Sequence, residues 1–194
     1  VYDNRFSKPA YDPETEVVYL QFHGVNASAN VKINGKTVCT HDGGYSTFRV
    51  EVTKDLQAEN EIVIEVDNSV NDRVYPQKAD FTFYGGIYRD VEILVVSKEH
   101  FDLDYFGGPG MKYIAEVSGK DAKVNVTTYV NELAKTENTK VIVELTDADG
   151  NFVAKAEGAE VSLPITNVHH WDGLEDPYLY QIKATLLKDG LAVD

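Results

Sequence analysis

Apolar and polar residues alternate with a period of two over most of the chain. In EVVYLQFHG, Val18, Leu20 and Phe22 fall on one face, while Tyr19, Gln21 and His23 fall on the other. NVKINGKTV places Asn34-Gly35, the dipeptide best suited to the positive φ angles of a tight hairpin, between two alternating runs. STFRVEV repeats the pattern with Phe48, Val50 and Val52, and EIVIEVD with Ile62, Ile64 and Val66. IYRDVEILVV reads as one strand carrying Ile87, Val91, Ile93 and Val95 on its apolar face. Short strands this close together, with turn residues between them, predict an all-β sandwich over residues 1–97.

Near residue 98 the texture changes. SKEHFDLDYFGGPG is irregular and turn-rich, and a second series of strands follows it: KVNVTTYVN, TKVIVELTD, NFVAKAEG and YLYQIKATLL. Compact turns, DADGN and KDG, punctuate that series, which predicts an immunoglobulin-like sandwich over residues 98–194. No helix of three turns and no internal repeat is expected. LAVD begins a strand and stops, so the second sandwich is expected to lack its last strand, and the first to be truncated at its N-terminus.

Composition narrows the function. A net charge of −14 repels phosphate and argues against nucleic acid. No apolar run approaches the roughly 20 residues of a membrane-spanning helix, so no membrane partner is expected. The N-terminus has neither the basic start nor the apolar core of a signal peptide and lacks an initiating Met, as expected of an excised piece; the compartment stays open. Cys39 stands alone, which rules out an intrachain disulfide and suits a small, half-buried strand residue.

Catalytic and metal motifs mostly fail. Counted from Asp147, DADGN puts Phe152 and Gly158 where an EF-hand needs Gly and Glu, so it reads as a hairpin turn. Apart from His169-His170 the histidines are scattered, and no zinc spacing exists. GGPG (107–110) is a turn rather than a phosphate cradle, and no Gly-x-Ser-x-Gly elbow is present. Sequons at Asn26 and Asn125 matter only in a glycosylating pathway. Among 32 acidic residues, nothing singles out a catalytic pair. The densest feature is DFTFYGGIYRDV (80–91): one carboxylate, crowded rings and a Gly85-Gly86 bend before alternation resumes. Phe81, Phe83 and Tyr84 could anchor this loop or offer flat faces to a ligand. The plainer reading packs the aromatics from Tyr75 to Tyr84 into a core or domain interface. Arg89 is expected to pair with a buried acid, and Trp171 and Tyr178 to Tyr180 are expected in the core.

Three segments together resemble the front of a glycoside hydrolase family 2 enzyme. FHGVNASANVKINGKTVCTHDGGYSTFRVEVT (22–53) is similar to the sugar-binding domain, and DFTFYGGIYRDVEI (80–93) to the signature that closes it. HHWDGLEDPYLYQIKATL (169–186) is similar to a segment late in the immunoglobulin-like domain that follows. The resemblance implies a jelly-roll, galactose-binding-domain-like sandwich, then an immunoglobulin-like sandwich. Both catalytic glutamates would lie on a separate (β/α)₈ barrel of the same polypeptide, leaving no catalytic residue here and an isolated chain without activity. It implies one substrate-binding residue, Asp80, six positions before Gly86, which would contact the sugar and help ligate sodium. The chain itself would hold no metal or cofactor, whereas the parent would use Na⁺ or Mg²⁺. The parent is expected to be a retaining β-galactosidase of terminal β-galactosides, with β-glucuronidase as runner-up and homo-oligomerisation left open. The rival readings are a free-standing carbohydrate-binding module and a structural adhesion protein.

Overall fold

The structure, a computed structural model, describes residues 1–75, 78–80 and 82–194. These form two compact units, one of residues 1–98 with 106–108, the other of residues 99–105 with 109–194. Both are all-β, and the described residues contain only two single 3₁₀ turns, Thr53–Asp55 and Glu132–Ala134, besides strands.

In the first unit the chain runs through β1 (Tyr2–Ser7), β2 (Glu16–Phe22), β3 (Val25–Asn26), β4 (Ser28–Ile33), β5 (Lys36–Asp42), β6 (Phe48–Glu51), β7 (Glu59–Asp67), β8 (Gly86–Ile87) and β9 (Val91–Ser97). Sheets ordered β1-β7-β4-β5 and β6-β2-β9 enclose the core, and β3 pairs with β8 at one end. The alternation decides what is inside. Val18, Leu20 and Phe22 are at most 2% exposed and meet Val31, Ile33 and Ile64 from the other sheet. Phe22 stacks on Phe48 with centroids 4.7 Å apart. Asn34 and Gly35 turn the β4–β5 hairpin at φ of 51° and 80°. On the outer face of β2, Gln21 is buried: its amide donates to Glu92 Oε2 (2.6 Å), and it accepts from Arg49 Nε (2.5 Å). Arg49 Nη1 also donates to Gly108 O at 3.0 Å, and Gly107, at φ 65°, lies directly against Thr47. That is what ties residues 106–108 to this unit.

The second unit comprises β10 (Met111–Ser118), β11 (Asp121–Thr128), β12 (Thr139–Thr146), β13 (Phe152–Glu157), β14 (Glu160–Ile165), β15 (Gln181–Lys188) and β16 (Leu191–Ala192). Sheets ordered β10-β11-β14 and β13-β12-β15-β16 pack around Val124, Val126, Val143, Leu145, Leu163 and Leu186. At DADGN, the Asp147 carboxylate accepts from the backbone N–H groups of Asp149 (2.9 Å) and Asn151 (2.8 Å), closing a hairpin turn. The Asn151 amide bond to that carboxylate holds its pKa below the usual range.

Two expectations change. The run from Ile87 to Val95 is two strands, because residues 88–90 leave the ladder. Trp171 and Leu179 are not core: they are 64% and 65% exposed, since the 166–180 segment lies on the rim between β14 and β15, outside both sheets.

Candidate functional site

The site lies in the connection from the end of β7 at Asp67 to β8 and Arg89, whose described residues are 67–75, 78–80 and 82–89. Its first half is shaped by short polar side chains bonding to nearby backbone. Asp67 Oδ1 accepts from Ser69 N (2.8 Å), and Asn71 Oδ1 accepts from Arg73 N (2.9 Å) and Val74 N (3.0 Å). Val74 is thereby turned inward and buried. Arg73 Nε donates to Asp42 Oδ2 (3.0 Å), fixing the loop to the end of β5. A hydrogen bond from the Ser28 hydroxyl, joined by Arg73, holds the Asp42 carboxyl below its usual range, so the pair stays charged at neutral pH.

The second half is anchored at successive backbone positions. Asn26, a buried side chain on β3, donates from Nδ2 to Tyr84 O at 2.7 Å. Gly85 fits against the Asn68 side chain, where any β-carbon would collide. Gly86 takes φ of 120°, a backbone few other residues adopt, and pairs with Asn26. Ile87 N donates to the Tyr2 hydroxyl at 3.1 Å, and the Tyr88 hydroxyl donates to Gly44 O. Arg89 donates from Nη1 to the carbonyls of His23 and Tyr45, both at 3.3 Å, and its guanidinium lies 5.3 Å from the Tyr88 ring centroid. Among the described residues those carbonyls and that ring are its partners, not the buried acid expected from the sequence.

Asp80 falls between these anchored positions along the chain. It is exposed, and among the described residues no hydrogen bond or ion pair engages it. Tyr75 and Tyr84 are 93% and 79% exposed, so neither packs into a core of this unit. Phe83 is half-buried and lines a cavity of about 50 Å³ with Val74 and Asn26. The expectation for Phe81 lies outside the described residues. The described part of the loop therefore exposes one carboxylate, Asp80, and two rings, Tyr75 and Tyr84, and an exposed carboxylate of this kind can accept hydrogen bonds from hydroxyls. Among the described residues no three His, Cys, Asp or Glu side chains converge. One carboxylate is far from the six-oxygen shell of Mg²⁺, and Asp80 alone does not build a cation site. Sequence reasoning missed Tyr2, Asn26 and Arg73 as anchors. Asn26 left the clearest trace, a polar residue between Val25 and Ala27.

The chain resembles known proteins along its length. Residues 1–104 match the family described as glycosyl hydrolase 2 galactose-binding domain-like, and residues 110–194 match glycosyl hydrolases family 2. A β-glucuronidase of Bacteroides fragilis is 34% identical over 91% of this chain and 27% of its own length. A β-galactosidase of Thermoanaerobacter pseudethanolicus is 26% identical over 91% of this chain and 24% of its own. Among solved structures, an FMN-binding β-glucuronidase from Facaelibacterium prausnitzii L2-6 superposes with a TM-score of 0.91 at 33% identity, over 100% of this chain and 30% of that one. A B. fragilis protein described as a putative β-galactosidase gives 0.87 at 32% identity, over 99% and 31%. The chain thus spans between 24% and 31% of the length of these relatives, and with both units matched in order it belongs to glycoside hydrolase family 2.

Proposed function

We propose that this chain is the sugar-binding front of a β-glycosidase acting on β-glucuronides, in which Asp80 accepts hydrogen bonds from the sugar's hydroxyls. The observation that carries this reading is an exposed carboxylate, engaged by no hydrogen bond or ion pair among the described residues, in a loop anchored at Arg73 and again from Tyr84 onward, in the segment where the family signature falls. The choice of glucuronide is supported by the 34% identical B. fragilis β-glucuronidase and by the F. prausnitzii structure. Bond cleavage is assigned to the part of the polypeptide that the relatives carry outside the matched region, and Asp80 acts in binding and orientation. A β-galactosidase is the second reading, supported by the T. pseudethanolicus enzyme and the second B. fragilis structure.

The test uses the full product of the gene with nitrophenyl glucuronide and nitrophenyl galactoside, comparing the native sequence with Asp80→Asn. A hydrogen bond to a charged group contributes about 1.5–3 kcal/mol, so kcat/KM should fall about tenfold to about a hundredfold. The melting temperature should hold, because the side chain is exposed. The better substrate decides between the two sugars. Unchanged kcat/KM for both would remove Asp80 from the site, and the 194-residue chain alone is expected to hydrolyse neither.

A further inference from the structure

In a chain of net charge −14, an arginine left without an acid is a local exception. Arg5 and Arg73 pair with Glu61 and Asp42, and Arg49 donates to the Gln21 side chain and the Gly108 carbonyl. Arg89 is exposed, and among the described residues its partners are the His23 and Tyr45 carbonyls and the Tyr88 ring, with no carboxylate. Glu92, two positions on, is occupied by Gln21 and His23. Both carbonyls are reached by Nη1, at 3.3 Å each, and among the described residues Nε and Nη2 have no acceptor. The Nε–Nη2 edge of a guanidinium is a fork that grips a carboxylate through two parallel hydrogen bonds.

Two exposed rings flank this fork. Tyr45 and Tyr88 are 51% and 45% exposed and meet edge to face, with centroids 6.0 Å apart and planes at 62°. The group is held in place from below. The Tyr88 hydroxyl donates to Gly44 O, and Tyr88 and Arg89 both pack on the buried Gly24. A β-carbon on Gly24 would sit 2.9 Å from the Tyr88 hydroxyl and 3.1 Å from Arg89 Cδ, so the absence of a side chain there is what lets the pair lie flat. Ring and guanidinium are therefore positioned before any ligand arrives, and binding surrenders less side-chain freedom. Tyrosine and arginine are also the residues that most often dominate binding surfaces.

The chemistry of the patch selects its ligand. A chain this acidic repels anions over most of its surface, so an anion is held only where a cation is left unneutralised. The ligand must offer a carboxylate to the fork and, beside it, a flat face to the rings. A uronic acid carries both on one pyranose: the carboxylate projects from the ring, and the ring's C–H bonds give it an apolar face that packs on tyrosine. A neutral sugar has the face without the charge, and an acidic peptide has the charge without the face. We propose that Arg89, Tyr45 and Tyr88 form a binding site for the uronic acid residues of an acidic saccharide. The site is complete within the first unit and does not depend on the role of Asp80 or on hydrolysis.

Titration calorimetry with α-1,4-linked trigalacturonate, maltotriose and triglutamate tests this, in the full product of the gene and in the 194-residue chain. The α-linked uronate is chosen because a β-glycosidase leaves it intact. Trigalacturonate should bind both proteins alike, about tenfold or more tightly than either control, and more weakly as salt is raised. Arg89→Gln should lower that affinity about tenfold or more through loss of the charged fork. Tyr45→Ala keeps the backbone carbonyl that Arg89 uses and should lower it about threefold or more, so it decides the matter if Arg89→Gln fails to fold. No heat from trigalacturonate at about 10 mM, or equal affinity for maltotriose or triglutamate, would overturn the proposal. So would unchanged affinity in Tyr45→Ala, or binding confined to only one of the two proteins, which would place the site elsewhere or show the patch covered.

Discussion

Gly44→Ala tests how the signature loop is held. Gly44 is buried, and a β-carbon there would meet Asn26 Oδ1 and sit 2.9 Å from Asn26 Cγ. Asn26 cannot retreat as a unit, because its backbone pairs with Gly86. The side chain must swing away and surrender its 2.7 Å bond to Tyr84 O. Leaving that carbonyl unsatisfied costs about 1–3 kcal/mol, and forcing a methyl group into packed surroundings costs about as much again. The expected loss is about 2–6 kcal/mol. For a unit of this size, a loss at the low end of that range lowers the melting temperature by about 8 °C or more. Asn26→Ala alone should cost about 1–3 kcal/mol through the lost bond. Because removing the Asn26 side chain also makes room for the methyl, the double variant should be less unstable than the sum of the two, with a coupling of about 1–3 kcal/mol. Urea denaturation followed by circular dichroism on all four proteins measures the cycle. Gly44 is not in the left-handed region, so its loss is steric; Gly150→Ala, at φ 83° with nothing within 4 Å of a β-carbon, shows by contrast the cost of backbone strain without a collision. A silent Gly44→Ala, or strict additivity with Asn26→Ala, would refute this account of the anchor.

Leu145→Ala removes a fully buried side chain from the second core and should cost about 2–5 kcal/mol, read as a lower urea midpoint for the second unit with the first unchanged. His41, stacked on Phe48 with centroids 4.1 Å apart, has its pKa held below the ordinary 6.5 by burial. On acidification the unfolded chain therefore takes up this proton first. Stability should be full above about pH 6.5 and fall as pH drops from there through the folded value. Melting curves between pH 7.5 and 5.0 should show the decline, and His41→Phe should flatten it; an equal decline in the variant would absolve His41.

The strands most legible in the sequence are those with one clean apolar face. β2, β4 and β12 alternate without interruption because each lies inside a sheet, with one side on the core. β1, β10 and β14 escaped notice, and all three are edge strands. β1 is almost wholly exposed, β10 mixes charge with apolar residues, and β14 contains Pro164, which a strand edge tolerates. Val91, Ile93 and Val95 alternate as a core face should, yet remain 40%, 39% and 37% exposed because β9 is also an edge. Alternation reports which way side chains point, and coverage depends on what lies across from them. The same distinction explains Trp171: a lone tryptophan in an aromatic segment suggests a core, but here it stands at the mouth of a cleft. At the candidate site the Gly85-Gly86 bend was legible because it is a local backbone property. The anchors from Tyr2, Asn26 and Asp42 were not, since each joins residues more than thirty positions apart in the chain.

The excursion of residues 106–108 into the first unit makes the polypeptide pass between the units at three points, after residues 98, 105 and 108. Two modules strung on a single linker can be exchanged by one recombination event. Here a breakpoint at residue 98 would strip Arg49 of its Gly108 acceptor and leave Thr47 facing a vacancy. Chimaeras of family members should tolerate a junction placed after residue 108 better than one placed at 98, and natural shuffling would carry the short return segment along with the sandwich that precedes it.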